Sequence, residues 1–245
     1  MKHSTSSPKD IVSTIYDILV KRRYRRSPPL QSPAVHTVIK ECVERNKAIP
    51  LVGFWGVGPK AEPNWADLAS CENLSNLNDE VKKVYPQGLD FLFILATRHG
   101  EHNGFSPKNI KSYAKRMESV FKKRGFRLTY IDPLWEKYGI SFEKIDYVWS
   151  KKARGWWSKI PGFEDIESKA AKRNTRLPAQ IAAQKYYIMR DLEKEMLERE
   201  FSQHIFHAFA DPELRCVLPN LPTLYFYGIK RGRSDPPWFV TASEQ

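Results

Sequence analysis

The stretch LDFLFILAT, residues 89–97, decides the fold. It is apolar at almost every position, so both of its faces must be buried, as in a central strand of a parallel sheet. Just before it, Pro86 and Gly88 stop a polar helix read over 72–85. Further upstream, IPLVGFW at 49–55 is a short apolar run bounded by Pro50 and Gly56 and reads as the first core strand. Downstream, Ser106 and Pro107 form an N-cap and N1 pair that starts a helix ending near Arg124 and Gly125. Residues 126–131 then read as a third strand. This alternation predicts an α/β fold: a Rossmann-like parallel sheet with flanking crossover helices. Ligands of such sheets sit at the carboxyl ends of the strands, here the segments at 53–64 and 98–106, with Asp132 at the third end.

The rest of the chain frames this core. Residues 10–24 read as an amphipathic helix through Ile11, Ile15, Ile18 and Leu19, running into a basic run and a turn-rich break at Ser27-Pro28-Pro29. A second helix is expected over 34–45. Residues 141–176 are basic, rich in tryptophan and helical in pieces; a long helix follows over 178–200, then short strands at 204–209, 215–218 and 223–229. No stretch is long enough to link separate domains. The expectation is one catalytic domain over 1–245, with a helical N-terminal extension (1–46) and a basic and acidic helical segment (141–200).

Composition excludes several classes. The chain has 245 residues, 41% of them hydrophobic, which is enough for a core. Its longest unbroken apolar run, 91–96, is far short of a bilayer span. The N-terminal residues lack a secretory apolar stretch, so a cytoplasmic protein is expected. Cys42, Cys71 and Cys216 are distant from one another and read as reduced core thiols. The Walker, GxGxxG, GxSxG and HExxH signatures are absent. A net charge of +12 points to a polyanionic partner.

Four groups of residues could carry chemistry. Basic clusters with interleaved aromatics comprise Lys21 with Arg22, Arg23, Arg25 and Arg26; Lys151, Lys152 and Arg154 beside Trp156 and Trp157; and Lys169, Lys172, Arg173 and Arg176. Lysines bind phosphates and exposed tryptophans stack on unpaired bases; the plainer reading is solvated lysines and core tryptophans. The glycine-bearing loop opened by Gly53 carries Trp55 and Lys60, which could hold a phosphate or carboxylate, or it is an ordinary loop. The polar loop after the central strand carries Thr97, Arg98, His99, Glu101 and His102. Its histidines could move protons, and a His-x-x-His pair without a third ligand is weak evidence for metal. On the long helix, Tyr187, Asp191 and Glu195 share one face, so the carboxylates could grip a guanidinium or simply form solvated pairs with neighbouring lysine and arginine.

Two resemblances come from these residues. The basic run after the first helix, the loop from Lys60 to Asn64, Tyr85-Pro86-Gln87-Gly88 and Pro237-Trp238 resemble the isocyanide synthases of dityrosine and pyoverdine biosynthesis. That resemblance implies a free aromatic amino acid and a pentulose phosphate as substrates, held by Lys60, Arg98 and His99. Chain size, the single basic Rossmann-like domain and the acidic helix before the last strands are similar to the fungal, arginine-containing, tRNA-dependent cyclodipeptide synthases. In Asp191-Leu192-Glu193-Lys194-Glu195, Leu192 stands where their motif has a second aspartate.

The second resemblance implies a domain like the catalytic domain of class I aminoacyl-tRNA synthetases. Its partners would be arginyl-tRNA and a second charged tRNA, with no cofactor and no metal. Asp191 and Glu195 would hold the arginyl group, and Tyr187, His99 and His102 would assist proton transfer. Gly53, Trp55, Lys60, Asn64, Thr97 and Arg98 would shape the pocket. Arg22, Arg23, Arg25, Arg26, Lys151, Lys152, Arg154, Lys172 and Arg173 would hold tRNA. A non-catalytic RNA-binding module is the third reading.

Overall fold

The computed structural model describes residues 8–21, 25–59, 61–209 and 221–226. Six strands form one sheet: β1 (Arg25–Leu30), β2 (Ile49–Gly56), β3 (Leu89–Ala96), β4 (Arg127–Tyr130), β5 (Ile205–Phe209) and β6 (Thr223–Phe226). Their order is β1-β6-β5-β2-β3-β4. Every neighbouring pair from β6 to β4 is parallel, and β1 closes one edge antiparallel to β6. The predicted Rossmann-like α/β sheet is therefore present. Strand order reverses between β2 and β5, which places the topological switch point beside the central strand pair.

Side-chain alternation assigns the two layers. Leu51 and Trp55 of β2, with Phe91, Phe93 and Leu95 of β3, face one core. Four helices cover that face: α1 (Pro8–Leu19), α2 (Ser32–Glu44), α3 (Trp65–Lys82) and α5 (Pro107–Lys123). Val52, Phe54, Leu92 and Ile94 point the other way. Against them pack α6 (Ile131–Lys137), α7 (Phe142–Ser150) and α9 (Ala179–Glu200), with α8 (Phe163–Arg173) lying on α9. Because β3 is buried on both sides, its alternation does not alternate in polarity, which is why its sequence reads as a continuous apolar run.

Several elements differ from their sequence reading. The break at Ser27-Pro28-Pro29 lies inside β1, whose pairing to β6 is interrupted by irregularities; an edge strand tolerates prolines because its outer N–H groups need no partner. Helix α3 starts at Trp65 because Asn64 caps it: the Asn64 side chain accepts from Ala66 and Asp67, and Asp67 accepts the Asn64 N–H at 2.8 Å. The polar segment after β3 is a short helix, α4 (Thr97–His102), and α6 follows β4 without a loop. The strand expected over 215–218 lies outside the described residues. Among the described residues no helix is long and apolar enough to cross a membrane.

The central strands β2 and β5 pair Gly53 with His207. A β-carbon there would stand 2.5 Å from the His207 carbonyl oxygen and 2.6 Å from its ring. Gly53 is thus required by the approach of β5 rather than by a turn. Gly53→Ala should lower stability in urea by about 1–3 kcal/mol through overpacking, whereas Gly56→Ala, where a β-carbon meets nothing within 4 Å, should change it little.

Candidate functional site

The carboxyl edge of β3 and β4 turns directly into helices, so the first residues of α4 and α6 are delivered side by side. Thr97 donates its hydroxyl to Asp132, and Arg98 places Nε 2.8 Å from the other Asp132 oxygen. Arg98 also binds Glu101 at 2.9 Å. Asp132 thereby fastens the end of one strand to the end of the next.

Behind this pair lies a buried charged cluster. Arg190 and Glu193 are 2% and 0% exposed, and they pair with each other across one turn of α9. Glu193 also receives the Trp135 indole N–H at 2.9 Å and stands 2.8 Å from His99 Nε2. An ionised carboxylate only accepts, so the His99 proton on Nε2 points at Glu193. The Arg190 guanidinium lies 4.3 Å from the Phe54 ring centre, and Phe54 and Tyr186 both flank His99. Burial works against the Glu193 charge. The His99 and Arg190 charges and the hydrogen bonds from His99 and Trp135 outweigh it and hold the carboxyl below its ordinary range.

Trp135 also lines an open cleft of about 470 Å³ in front of the cluster, together with Arg98, Asp132, Glu136, Phe142 and Glu143. That volume suits a small molecule or a single amino-acid side chain and backbone. Three acidic residues and one arginine line the cleft, and Arg98 is already shared between Asp132 and Glu101. Hydrogen bonds from Ser141 and from its own backbone, with the Arg98 charge, hold Glu143 below the usual carboxylate range.

The residues singled out from sequence are distributed unevenly around this site. Arg98 lines the cleft, Thr97 is buried behind it on Asp132, and His99 lies in the buried cluster. His102 is buried one turn further on, with Nε2 3.0 Å from the Ala182 carbonyl; burial pushes its pKa down to about 4. Trp55 faces the opposite core, where it donates to the Tyr113 hydroxyl at 3.0 Å; strand alternation sends Phe54, not Trp55, toward His99. Gly53 is taken up by the β5 contact and Asn64 by the α3 cap. Lys60 lies outside the described residues.

Asp191 and Glu195 are exposed, and Glu195 pairs with Arg199 at 2.8 Å. Helical periodicity turns them away from Arg190 and Glu193, so the structure does not bring them to the cleft. Tyr187 instead packs among Trp156 and Trp157, at ring separations of 6.2 and 5.8 Å. The sequence reading missed Trp135, Arg190 and Glu193. A usable signal was present: positions 186, 190, 193 and 197 recur at helical spacing on the buried face of α9, and two of them are charged.

Of the basic positions, Lys151, Lys152 and Arg154 are exposed after α7, and Lys172 and Arg173 are exposed at the end of α8. Arg22 and Arg23 lie outside the described residues; Arg25 and Arg26 belong to β1 through their backbone. Trp157 is core, 3% exposed, with its indole N–H near 2.5 Å from Glu167. Cys71 is buried on α3, and burial pushes its thiol up to about 12. No cluster of three or more histidine, cysteine, aspartate or glutamate side chains suited to a metal occurs among the described residues.

An α/β domain with a cleft at the carboxyl edge of a parallel sheet is the class this geometry defines. No protein-family profile matches the sequence, and no curated protein matches it. Solved structures do. The chain is similar to the PvcA protein from Pseudomonas aeruginosa, at 13% identity and a TM-score of 0.65, over 94% of this chain and 87% of that one. It is also similar to Leishmania major tyrosyl-tRNA synthetase in complex with tyrosinol, at 10% identity and a TM-score of 0.50, over 92% of this chain and 34% of the synthetase. These likenesses establish the fold.

Glu193→Gln should cost about 3–5 kcal/mol at neutral pH, because it leaves the Arg190 charge buried without its counter-ion. A carboxyl held below its ordinary value contributes stability above the unfolded value and loses it as pH falls through the folded one. The gap between wild type and variant, read from urea midpoints, should therefore narrow below the ordinary glutamate value of 4.5.

Two buried histidines add a separate acid sensitivity. Burial lowers His102 to about 4 and His207 to about 3, both from 6.5. Between those values and 6.5 the unfolded chain binds protons that the folded chain does not, so stability rises with pH across that window. His102→Gln, which keeps a donor for Ala182, should reduce the slope of stability against pH there by up to about one proton.

Proposed function

We propose that the chain is a tRNA-dependent aminoacyltransferase that couples an arginyl group and a second aminoacyl group into a cyclic dipeptide. The observation that carries this reading is the charge of the cleft. Asp132, Glu136 and Glu143 outnumber Arg98, so the cleft attracts a guanidinium or ammonium group and repels a free phosphate. Carboxylates can grip a guanidinium by paired, charge-assisted hydrogen bonds. The lysines and arginines stand elsewhere: Glu143 is in the first turn of α7, whereas Lys151, Lys152 and Arg154 follow its last turn. At about 1.5 Å per residue, α7 separates the two by roughly 13 Å. A polyanion on the outer surface with a cationic aminoacyl end in the cleft fits that separation. A tyrosyl-tRNA synthetase solved with tyrosinol shares the fold, which supports an amino-acid-sized occupant.

An aminoacyl ester on tRNA is already activated. The amine of one group attacks the ester carbonyl of the other, a C–N bond forms, the C–O bond to ribose breaks, and the proton passes from nitrogen to the leaving oxygen. A second aminolysis closes the ring. The protein supplies proximity and orientation, which can lower the barrier by about 7–11 kcal/mol. In this reading Asp132, Glu136 and Glu143 hold the arginyl side chain. His99 is a positioning residue, because it acts on the cleft through the Glu193 carboxylate it shares with Trp135 rather than by contact.

The PvcA likeness over 94% of the chain favours a second reading: an enzyme acting on a free aromatic amino acid and a pentulose phosphate. The double engagement of Arg98 by carboxylates argues against a phosphate at that position.

Incubation with arginyl-tRNA and mixed aminoacyl-tRNAs should give an arginine-containing cyclic dipeptide by mass spectrometry, lost on pretreatment with RNase. A product that survives RNase overturns the proposal, and a product from tyrosine or tryptophan plus pentulose phosphate without RNA establishes the second reading. Glu136→Gln and Glu143→Gln should each lower kcat/KM for the arginyl substrate about tenfold, equivalent to about 1.4 kcal/mol. Losses confined to Asp191→Asn and Glu195→Gln would place the guanidinium on the outer face of α9 instead.

A further inference from the structure

Tyr147 is the most exposed of the large apolar side chains among the described residues, at 64%. It stands on the outer face of α7, whose Ile145, Val148 and Trp149 pack inward. Lys151 lies one turn on, with its Nζ 5.6 Å from the Tyr147 ring centre. Lys152 continues the surface, 5.1 Å from the Trp156 ring centre, while the half-buried Lys185 stands 5.1 Å from that of the inward Trp149. The nearby Asp146 carboxylate is paired with Lys185 at 2.7 Å. Residues 151–159 carry Lys151, Lys152, Arg154 and Lys159 and no acidic side chain. The helix itself is firmly based. Ser141 caps its first turn at 3.2 Å, and the Trp149 indole N–H reaches Gln184 of α9 at 2.8 Å.

We infer that Tyr147 is a stacking platform for an unpaired nucleotide of bound RNA, with Lys151, Lys152 and Arg154 holding the adjoining phosphates. The inference rests on the tRNA reading above and deepens it by naming where a base is held. An exposed ring fixed on a helix offers its face to any base, and cations beside it neutralise the backbone that carries that base. The expected ligand feature is a single-stranded end or loop, since a base within a duplex has no free face. Trp156 and Trp157, the rings that the sequence suggested for this task, are half-buried and buried and cannot present a whole face.

The test separates base from phosphate. Binding of a short single-stranded oligoadenylate is compared with an abasic oligomer of equal phosphate number, by fluorescence anisotropy over a range of salt. The wild type should prefer the oligoadenylate by about tenfold. Tyr147→Ala should erase that preference while leaving the salt slope unchanged, and Tyr147→Phe should keep it. Circular dichroism should be unaltered, since the ring buries little. A preference that survives Tyr147→Ala, or an equal loss for both oligomers, overturns the inference. If neutralising Lys151, Lys152 and Arg154 abolishes RNA binding but Tyr147→Ala leaves base preference intact, the inference fails while the tRNA reading stands. If the wild type binds neither oligomer nor charged tRNA, the RNA reading fails with it. Binding of anionic phospholipid vesicles that Tyr147→Ala weakens, with RNA binding unaffected, also overturns it.

Discussion

A buried carboxylate holds the carboxyl edge of this sheet together. Glu193 is removed from water, yet it meets the Arg190 guanidinium, the Trp135 indole N–H and His99 Nε2. Those partners come from α9, α6 and α4, and the last two helices begin where β4 and β3 stop. Burying either charge alone would be costly; buried together, with the remaining oxygen positions filled, they are compatible with the core. The cluster therefore converts a purely apolar contact between a helix and a sheet into one with a single acceptable arrangement. Rotating α9 by one residue would replace Arg190 and Glu193 with Asp191 and Lys194 and leave His99 and Trp135 facing no carboxylate in that geometry.

The cleft depends on the same arrangement. Asp132 reaches both Thr97 and Arg98 only because two adjacent strands end at matching heights and pass straight into helices. Trp135 contributes to both regions, lining the cleft and donating to Glu193. Charge is then sorted by position along the surface. Carboxylates line the cleft, whereas exposed lysines and arginines follow the ends of α7 and α8. In the proposed reading, an aminoacyl ester on RNA would have the matching distribution: a cationic tip and a negative backbone.

The fold was largely legible in residues whose patterns have local causes. The apolar run of β3 announced a strand buried on both sides. Ser106 and Pro107 marked the start of α5, and Gly125 its end. Asn64 was visible as a polar residue near the first strand, but its identity as a cap, together with Asp67, moved the start of α3 forward to Trp65. The segment at 97–102 was read as a loop because its residues are polar and include Gly100. It is helical because Thr97, His99 and His102 are buried against α6 and α9 and are satisfied there.

Local sequence thus specified the core alternation of β2, α3, β3, α5 and β4, the parallel sheet it implies and the edge at which a ligand would sit, but not β1, α4 or α6. Those features follow from periodicity, caps and turn residues within short windows. Which side chains meet at that edge was decided only on folding. Trp55 and Phe54 are neighbours in the chain, yet the pleat sends one into the far core and the other onto Arg190. Asp191 and Glu195 carry the same charge as Glu193, but helical rotation and packing expose the first two and bury the third. A carboxylate shared by three helices distant in sequence leaves no local trace beyond a charge at an otherwise apolar position, because its partners are brought within hydrogen-bonding distance by the sheet and not by the chain.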